Sequence, residues 1–148
     1  MKILIAVDES EASAAAVEAT RILFPSADHV LLSVADVMPL MVTDPVGGGV
    51  FTATTTPAAM EAVELAADDA IASADHELHA MESRVEIGDP GRLICEEAAR
   101  IHPDVVVVGR SSRGWLSRLF EPSVADYVVK HAPCPVLVVK GPEHAETD

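Results

Sequence analysis

Five short apolar runs recur along the chain, separated by stretches with helical spacing. The first, KILIAV (Lys2–Val7), ends at Asp8 and reads as a buried strand. A helical pattern follows. Ala16, Val17, Thr20, Leu23 and Phe24 share one face, Ser10 is the expected N-cap and Pro25 the stop. HVLLSV (His29–Val34) predicts a second buried strand. Thr56-Pro57 predicts a helix start, a capping hydroxyl followed by proline in the first helical position. The apolar face of that helix carries Met60, Val63, Ala67, Ala70, Ile71, Ala74 and Leu78. SRVEIGD is a weaker third strand in which Val85 and Ile87 alternate with polar residues, and Asp89-Pro90 opens a helix over GRLICEEAARI. DVVVVG (Asp104–Gly109) is the most apolar strand. A helix is expected through residues 114–131, ending near His131, where a cation suits the helix dipole. PVLVV (Pro135–Val139) is the fifth strand.

This alternation predicts an α/β fold, a parallel sheet with helices on both faces. Strand order does not follow from the pattern. In such sheets ligands bind beyond the strand C-termini where the order reverses. The residues that matter most are then Asp8 and Glu9, Val34 to Asp36, Gly88 and Asp89, and Gly109 to Gly114. Residues 35–56 break the pattern with Pro39, Pro45, Gly47–Gly49 and TATTT, and are expected to form a long mobile loop. The three glycines are not followed by Lys-Ser/Thr, so they make no phosphate motif. Residues 1–141 are expected to form one domain and 142–148 a frayed tail.

Composition narrows the function classes. With 148 residues the chain suits a single core, and aromatics at 3% leave that core to aliphatic side chains. The formal net charge of −14 opposes a nucleic-acid or anionic-membrane surface. Two cysteines, Cys95 and Cys134, are too few for a disulfide scaffold and match no zinc spacing; they read as buried thiols in a reducing compartment. The opening MKILIAVDES does not read as a signal peptide, and no run reaches the length of a membrane span, so a cytoplasmic protein is expected.

Chemistry concentrates after the fourth strand. Gly109–Phe120 holds Arg110, Arg113 and Arg118 and no acid, in a chain of 10 Lys plus Arg against 24 Asp plus Glu. A turn between a strand and a helix N-terminus suits a phosphate, and serines 111, 112, 117 and 123 add donors. On spacing alone a solvated polar turn is the better reading. Asp8 has two readings, a partner for Mg²⁺ beside a phosphate or a cap for the helix that follows. His76 and His79 could form one metal edge but supply too few ligands, and a solvated face is favoured. Trp115 reads as a cover over the turn or a partner anchor. No Gly-x-Ser-x-Gly or His-Glu-x-x-His set is present, and no enzymatic activity is expected.

Three segments, ILIAVDES, GDPGRLICEEAARIHPDVVVVG and GRSSRGWLSRLFEPSVADYVVKHAPCPVLVV, resemble the small single-domain universal stress proteins over nearly the whole chain. The resemblance implies a five-stranded parallel sheet of the Rossmann-like nucleotide-binding kind, and a homodimer formed through the last strand, here Pro135–Val139. ATP-binding members carry Gly, two residues, Gly, nine residues, Gly-Ser/Thr. The first glycine matches Gly109; Ser112 and Pro122 replace the other two, and Ser123 is kept. By resemblance, Gly109, Ser111, Ser112, Ser123 and Val124 would hold phosphates, Asp8 the ribose and adenine, and Val34 the adenine through its backbone. Arg110 and Arg113 are lesser candidates. Pro122 removes a backbone N–H but suits the first turn of a helix. Ser112 adds a Cβ where the family has none. One lost charged hydrogen bond costs about 1.5–3 kcal/mol, a ten- to hundredfold loss in affinity. The resemblance thus implies an ATP-binding stress or signalling module, with or without Mg²⁺, of weakened affinity. The alternative is an interaction module of the same fold that binds no nucleotide.

Overall fold

The computed structural model describes residues 1–36, 57–111 and 123–143. Nearly all of the expected mobile loop (37–56) lies outside them, as do Ser112, Arg113, Trp115, Ser117, Arg118 and Pro122, and the end of the expected tail.

The elements in chain order are β1 (Lys2–Val7), α1 (Glu11–Leu23), β2 (Asp28–Ala35), α2 (Pro57–Leu78), β3 (Glu82–Ile87), α3 (Pro90–Ile101), β4 (Val105–Arg110), α4 (Val124–His131) and β5 (Val136–Lys140). All strand pairs are parallel, in the order β3-β2-β1-β4-β5. The earliest strand is therefore central. Ile3 registers against His29 on one side and Val105 on the other.

Strand alternation splits the core in two. Ile3, Ile5, Leu31 and Val107 point to one face, covered by α1 and α2 through Ala16, Val17, Ala70 and Ala74. Leu4, Val30, Leu32, Val106 and Val108 point to the other, covered by α3 and α4 through Ile94, Ala98, Ala125 and Val128. Alanines and valines dominate the helix side of both layers, which is how a chain so poor in aromatics fills its interior. Cys95 and Cys134 pack at the edge of the second layer as free, half-buried thiols, less enclosed than expected. Burial pushes both thiols above the ordinary range.

Several expectations shift. Leu23, the last residue of α1, is exposed, and the buried face of α1 extends back to Ala12 and Ser13. Ile87 is also exposed, at the end of edge strand β3. Ala35, placed in the loop from sequence, is buried as the last residue of β2. No continuous helix runs from 114 to 131. Ser123 is extended (φ −61°, ψ 154°) and caps α4, which begins at Val124. The helix thus starts two residues after Pro122, not with Pro122 in its first turn.

An ion network ties α3 to β3. Glu97, itself buried, takes two bonds from Arg100 (2.6 and 3.0 Å) and a longer one from Arg84 (3.5 Å), while Arg84 reaches Glu86 and Arg100 approaches Glu82. The bonds from Arg100, with the charge of Arg84, hold the Glu97 carboxyl below the usual carboxylate range.

Candidate functional site

The winding reverses between β1 and β4, so the connections leave to opposite faces there and a crevice opens beyond the strand ends. A cleft of about 280 Å³ occupies it. That is close to the lower bound of about 300 Å³ for small-molecule sites. Its floor is apolar, built by Ala6, Leu32, Val34, Ile94 and Val108. Its rim carries Asp8, Ser10, Ser13 and Asp36, and it is closed by Pro90, Gly109 and Val124. The lining holds two carboxylates and no Lys or Arg among the described residues.

The turn after β1 is braced from within. Asp8 Oδ1 accepts from the Ser10 N–H (2.7 Å), and the Asp8 N–H donates to Ser13 Oγ (2.9 Å). Ser10 Oγ accepts from the Ser13 N–H (3.1 Å) and is the N-cap of α1. Of the two readings of Asp8, the cap therefore belongs to Ser10. Asp8 holds the turn with one carboxylate oxygen and stays exposed at the cleft.

Gly109 has a packing reason of its own. A Cβ there would overlap the backbone carbonyl of Ala12 and stand 2.9 Å from the Ser13 amide. At Gly141, just past β5, a Cβ would lie 3.0 Å from Ala12 Cα. The first turn of α1 thus rests directly on the ends of β4 and β5; glycine is required for that approach at position 109, and a Cβ at 141 would be a tight fit. Gly88, with φ +147°, turns the chain from β3 toward Asp89, whose side chain caps α3 through the Gly91 N–H.

Of the residues expected at a site, the cleft gathers Asp8, Val34, Gly109 and Val124. Ser111, half-buried just past β4, and Ser123 lie outside its lining. Ser123 Oγ accepts from the Asp126 N–H (3.1 Å) as the α4 cap. Its hydroxyl proton remains available to an acceptor. Ser112 lies outside the described residues. Arg110 makes a 3.4 Å ion pair with Asp126, both half-exposed, so this member of the basic stretch leans on α4. Sequence reading missed Ser10 and Ser13 as cleft residues, and Pro90 and Ile94. Their signal was a cap with a second serine three residues on, and a proline-led helix whose first turns face the strand ends.

Among the described residues no cluster of three or more His, Cys, Asp or Glu side chains could hold a metal. His79 takes a left-handed φ of 50° just past α2, so its visible role is to end that helix. No helix among the described residues is long and apolar enough to cross a membrane.

A family model described as the universal stress protein family matches residues 1–140. The chain belongs to the universal stress protein family. It is 41% identical over 59 residues to a universal stress protein A-like protein of Arabidopsis thaliana, a stretch covering 40% of this chain and 34% of that protein. It is 42% identical over 57 residues to the universal stress protein Slr1101 of Synechocystis, covering 38% of this chain and 53% of that one. The chain thus spans only about a third to a half of the length of these two curated relatives. The solved universal stress protein UspA of Lactobacillus plantarum superposes with a TM-score of 0.67 at 26% identity, over 94% of this chain and 97% of that one. A universal stress protein family protein of Arabidopsis thaliana, solved with AMP bound, superposes with a TM-score of 0.61 at 24% identity, over 96% and 92%. The fold of this universal stress protein is therefore the Rossmann-like α/β fold of its structural neighbours.

Proposed function

We propose that this universal stress protein binds an adenine nucleotide in the cleft between the ends of β1 and β4, and acts as a non-enzymatic stress or signalling module. The observation that carries this is the cleft itself: an apolar floor for a base, a rim carboxylate for ribose hydroxyls, and a position at the switch point of a parallel sheet. The AMP bound to the Arabidopsis thaliana neighbour supports the choice of nucleotide.

The described residues fit the nucleoside half. Asp8 would accept from the ribose, and Val34 would offer its backbone to the adenine. Phosphates would lie toward Gly109, Ser111, Ser112, Ser123 and Val124, where backbone and hydroxyl donors gather between the end of β4 and the start of α4. The Val124 amide, in the first turn of α4, and the Ser123 hydroxyl are the donors there. ATP, with or without Mg²⁺, is the proposed ligand. Its affinity is lowered because Ser112 and Pro122 stand where the ATP-binding pattern has glycine. The same two residues favour the second reading, an interaction module that binds no nucleotide.

The chain is proposed to be cytoplasmic and to form a homodimer through β5, a sheet edge whose outer hydrogen-bonding groups have no strand partner among the described residues. Sedimentation equilibrium would then give twice 15.6 kDa. The nucleotide reading is tested by denaturing fresh protein, assaying released nucleotide by chromatography, and titrating stripped protein with ATP. Released nucleotide or micromolar binding supports it. No nucleotide and no heat at millimolar ATP, with and without Mg²⁺, supports the interaction module.

A further inference from the structure

α3 and α4 cover the same face of the sheet, and each leads from the end of one parallel strand to the start of the next, so they run in the same sense. They approach closely at Gly91. A Cβ there would stand 2.7 Å from the ring of Tyr127, so the α3 backbone lies against that ring. From this contact the two helices continue in step. Residues four apart share a stripe, which sets Cys95 one turn beyond Gly91 on α3 and His131 one turn beyond Tyr127 on α4. The Tyr127 and His131 rings stack with centroids 4.2 Å apart. α4 ends at its cap, Ala132, and Cys134 follows two residues later, between Pro133 and Pro135. Cys95, Ala132 and Cys134 all pack against one apolar cluster, with Ala98, Val106 and Val128 in it. The only two cysteines of the chain, far apart in sequence, are thus gathered in one layer of the core, both free and half-buried. Burial raises both thiols above their ordinary range, and charge on Cys134 raises Cys95 further, which places the two sulfurs within electrostatic reach.

We infer that Cys95 and Cys134 form a reversible intramolecular disulfide, a redox-controlled staple between α3 and the lead-in to β5. The inference stands apart from the nucleotide reading. The oxidant is a small-molecule disulfide of the glutathione kind. One cysteine thiolate attacks a sulfur of that disulfide and expels a small thiolate. The second cysteine thiolate attacks the protein-side sulfur of the mixed disulfide and expels the other. The two protons released by the protein thiols pass to the two small thiolates, so two protein thiols are oxidised and one small disulfide is reduced. In a reducing compartment the pair stays as thiols, and the bond forms when the thiol poise turns oxidising. The staple would join the cleft wall to the sheet edge, because α3 supplies Pro90 and Ile94 to the cleft and Cys134 leads into edge strand β5.

The test equilibrates dilute full-length protein in buffers of set oxidised-to-reduced glutathione ratio, then alkylates it and weighs it by mass spectrometry. The wild type should lose two hydrogens, take up no alkylating agent, run as a single chain without reductant, and yield one joined peptide pair containing Cys95 and Cys134. Dithiothreitol should reverse all of this. Cys95→Ser and Cys134→Ser, each checked for fold by circular dichroism, should instead take up one glutathione. Bridging should accelerate as pH rises, because the thiolate is the nucleophile and both thiols sit above their ordinary range. The oxidised chain should unfold at higher urea than the reduced chain, since the bridge constrains the unfolded state. Wild-type protein that only gains glutathione, or joins chain to chain, would overturn the staple. So would a bridge that forms in urea but not in buffer, or an oxidised chain less stable than the reduced one, since either would mean that the native fold holds the thiols apart. None of these readouts involves nucleotide, so failure of ATP binding leaves the result intact.

Discussion

Gly109 has a structural duty apart from any ligand. By resemblance it would begin a phosphate-wrapping turn, whereas the structure shows α1 resting on its bare Cα. Gly109→Ala should lower stability by about 1–3 kcal/mol through overpacking against backbone that cannot rotate away. Chemical denaturation without nucleotide reads this directly. An unchanged midpoint would mean that α1 shifts freely on β4. Glu97 gives a second residue-scale outcome. Its folded pKa is lowered, so its stabilisation is fully present above the unfolded value near 4.5 and is lost as pH falls through the folded value. Wild-type stability should therefore drop as pH falls below that unfolded value, and Glu97→Gln should be less stable at neutral pH with a shallower acid slope. At this scale the sequence was only half legible. Asp8 was marked as important, but that Ser10 caps while Asp8 braces depends on hydrogen bonds that residue types alone do not specify.

Element boundaries follow local chemistry more closely. β1 matches its apolar run, α3 begins at its Asp-Pro signal, and α1 begins after its serine cap. Such signals are readable because capping and strand burial act within a few residues. The helix expected over 114–131 is present over its second part, Val124–His131; 114–122 lie outside the described residues, and the hydroxyl of Ser123, accepting from the Asp126 amide, sets the start of α4 by the same kind of local signal. Helix ends were harder to foresee. α2 and α3 both stop at a histidine with φ 50°, a conformation usually left to glycine. His102 is exposed, and its N–H donates to the Ala98 carbonyl at 3.0 Å. His102→Gly keeps that bond and removes the left-handed strain. It should raise stability by about 0.5–1 kcal/mol, the strain relieved less the added chain entropy of glycine. A lowered thermal midpoint would show that the imidazole makes a contact worth more than the strain.

Across the whole molecule, alternation of strand and helix was enough to give the fold class, because a parallel sheet needs both faces covered. Strand order was not legible, since each apolar run is equally suited to pair with any other. The site inherits that limit: strand-end residues could be marked, but which ends share a crevice is fixed by β1 lying between β2 and β4. The net charge of −14 also acts at this scale. Self-repulsion opposes both compaction and self-association, and salt screens it over about 10 Å at 0.1 M. Thermal stability should therefore rise as sodium chloride is raised from about 10 mM to about 300 mM, over which the screening length falls from about 30 Å to under about 8 Å. The two sheet edges should respond differently. β3 is flanked by the Glu82, Arg84, Glu86, Glu97 and Arg100 network, while β5 exposes valines and a leucine in part. If self-association also strengthens with salt, it occurs at the less charged edge.

The register of β1 has a consequence for how the protein is made. Ile3 must meet Val105, and Ile5 must meet Val107, about a hundred residues later. On the ribosome, β1, β2 and β3 emerge early and can pair, but one edge of β1 stays open until β4 is synthesised. At about 5–20 residues per second that interval lasts roughly 5–20 seconds. The nascent chain therefore carries an uncovered apolar edge for most of its synthesis, and its window for capture by a chaperone closes only when β4 docks.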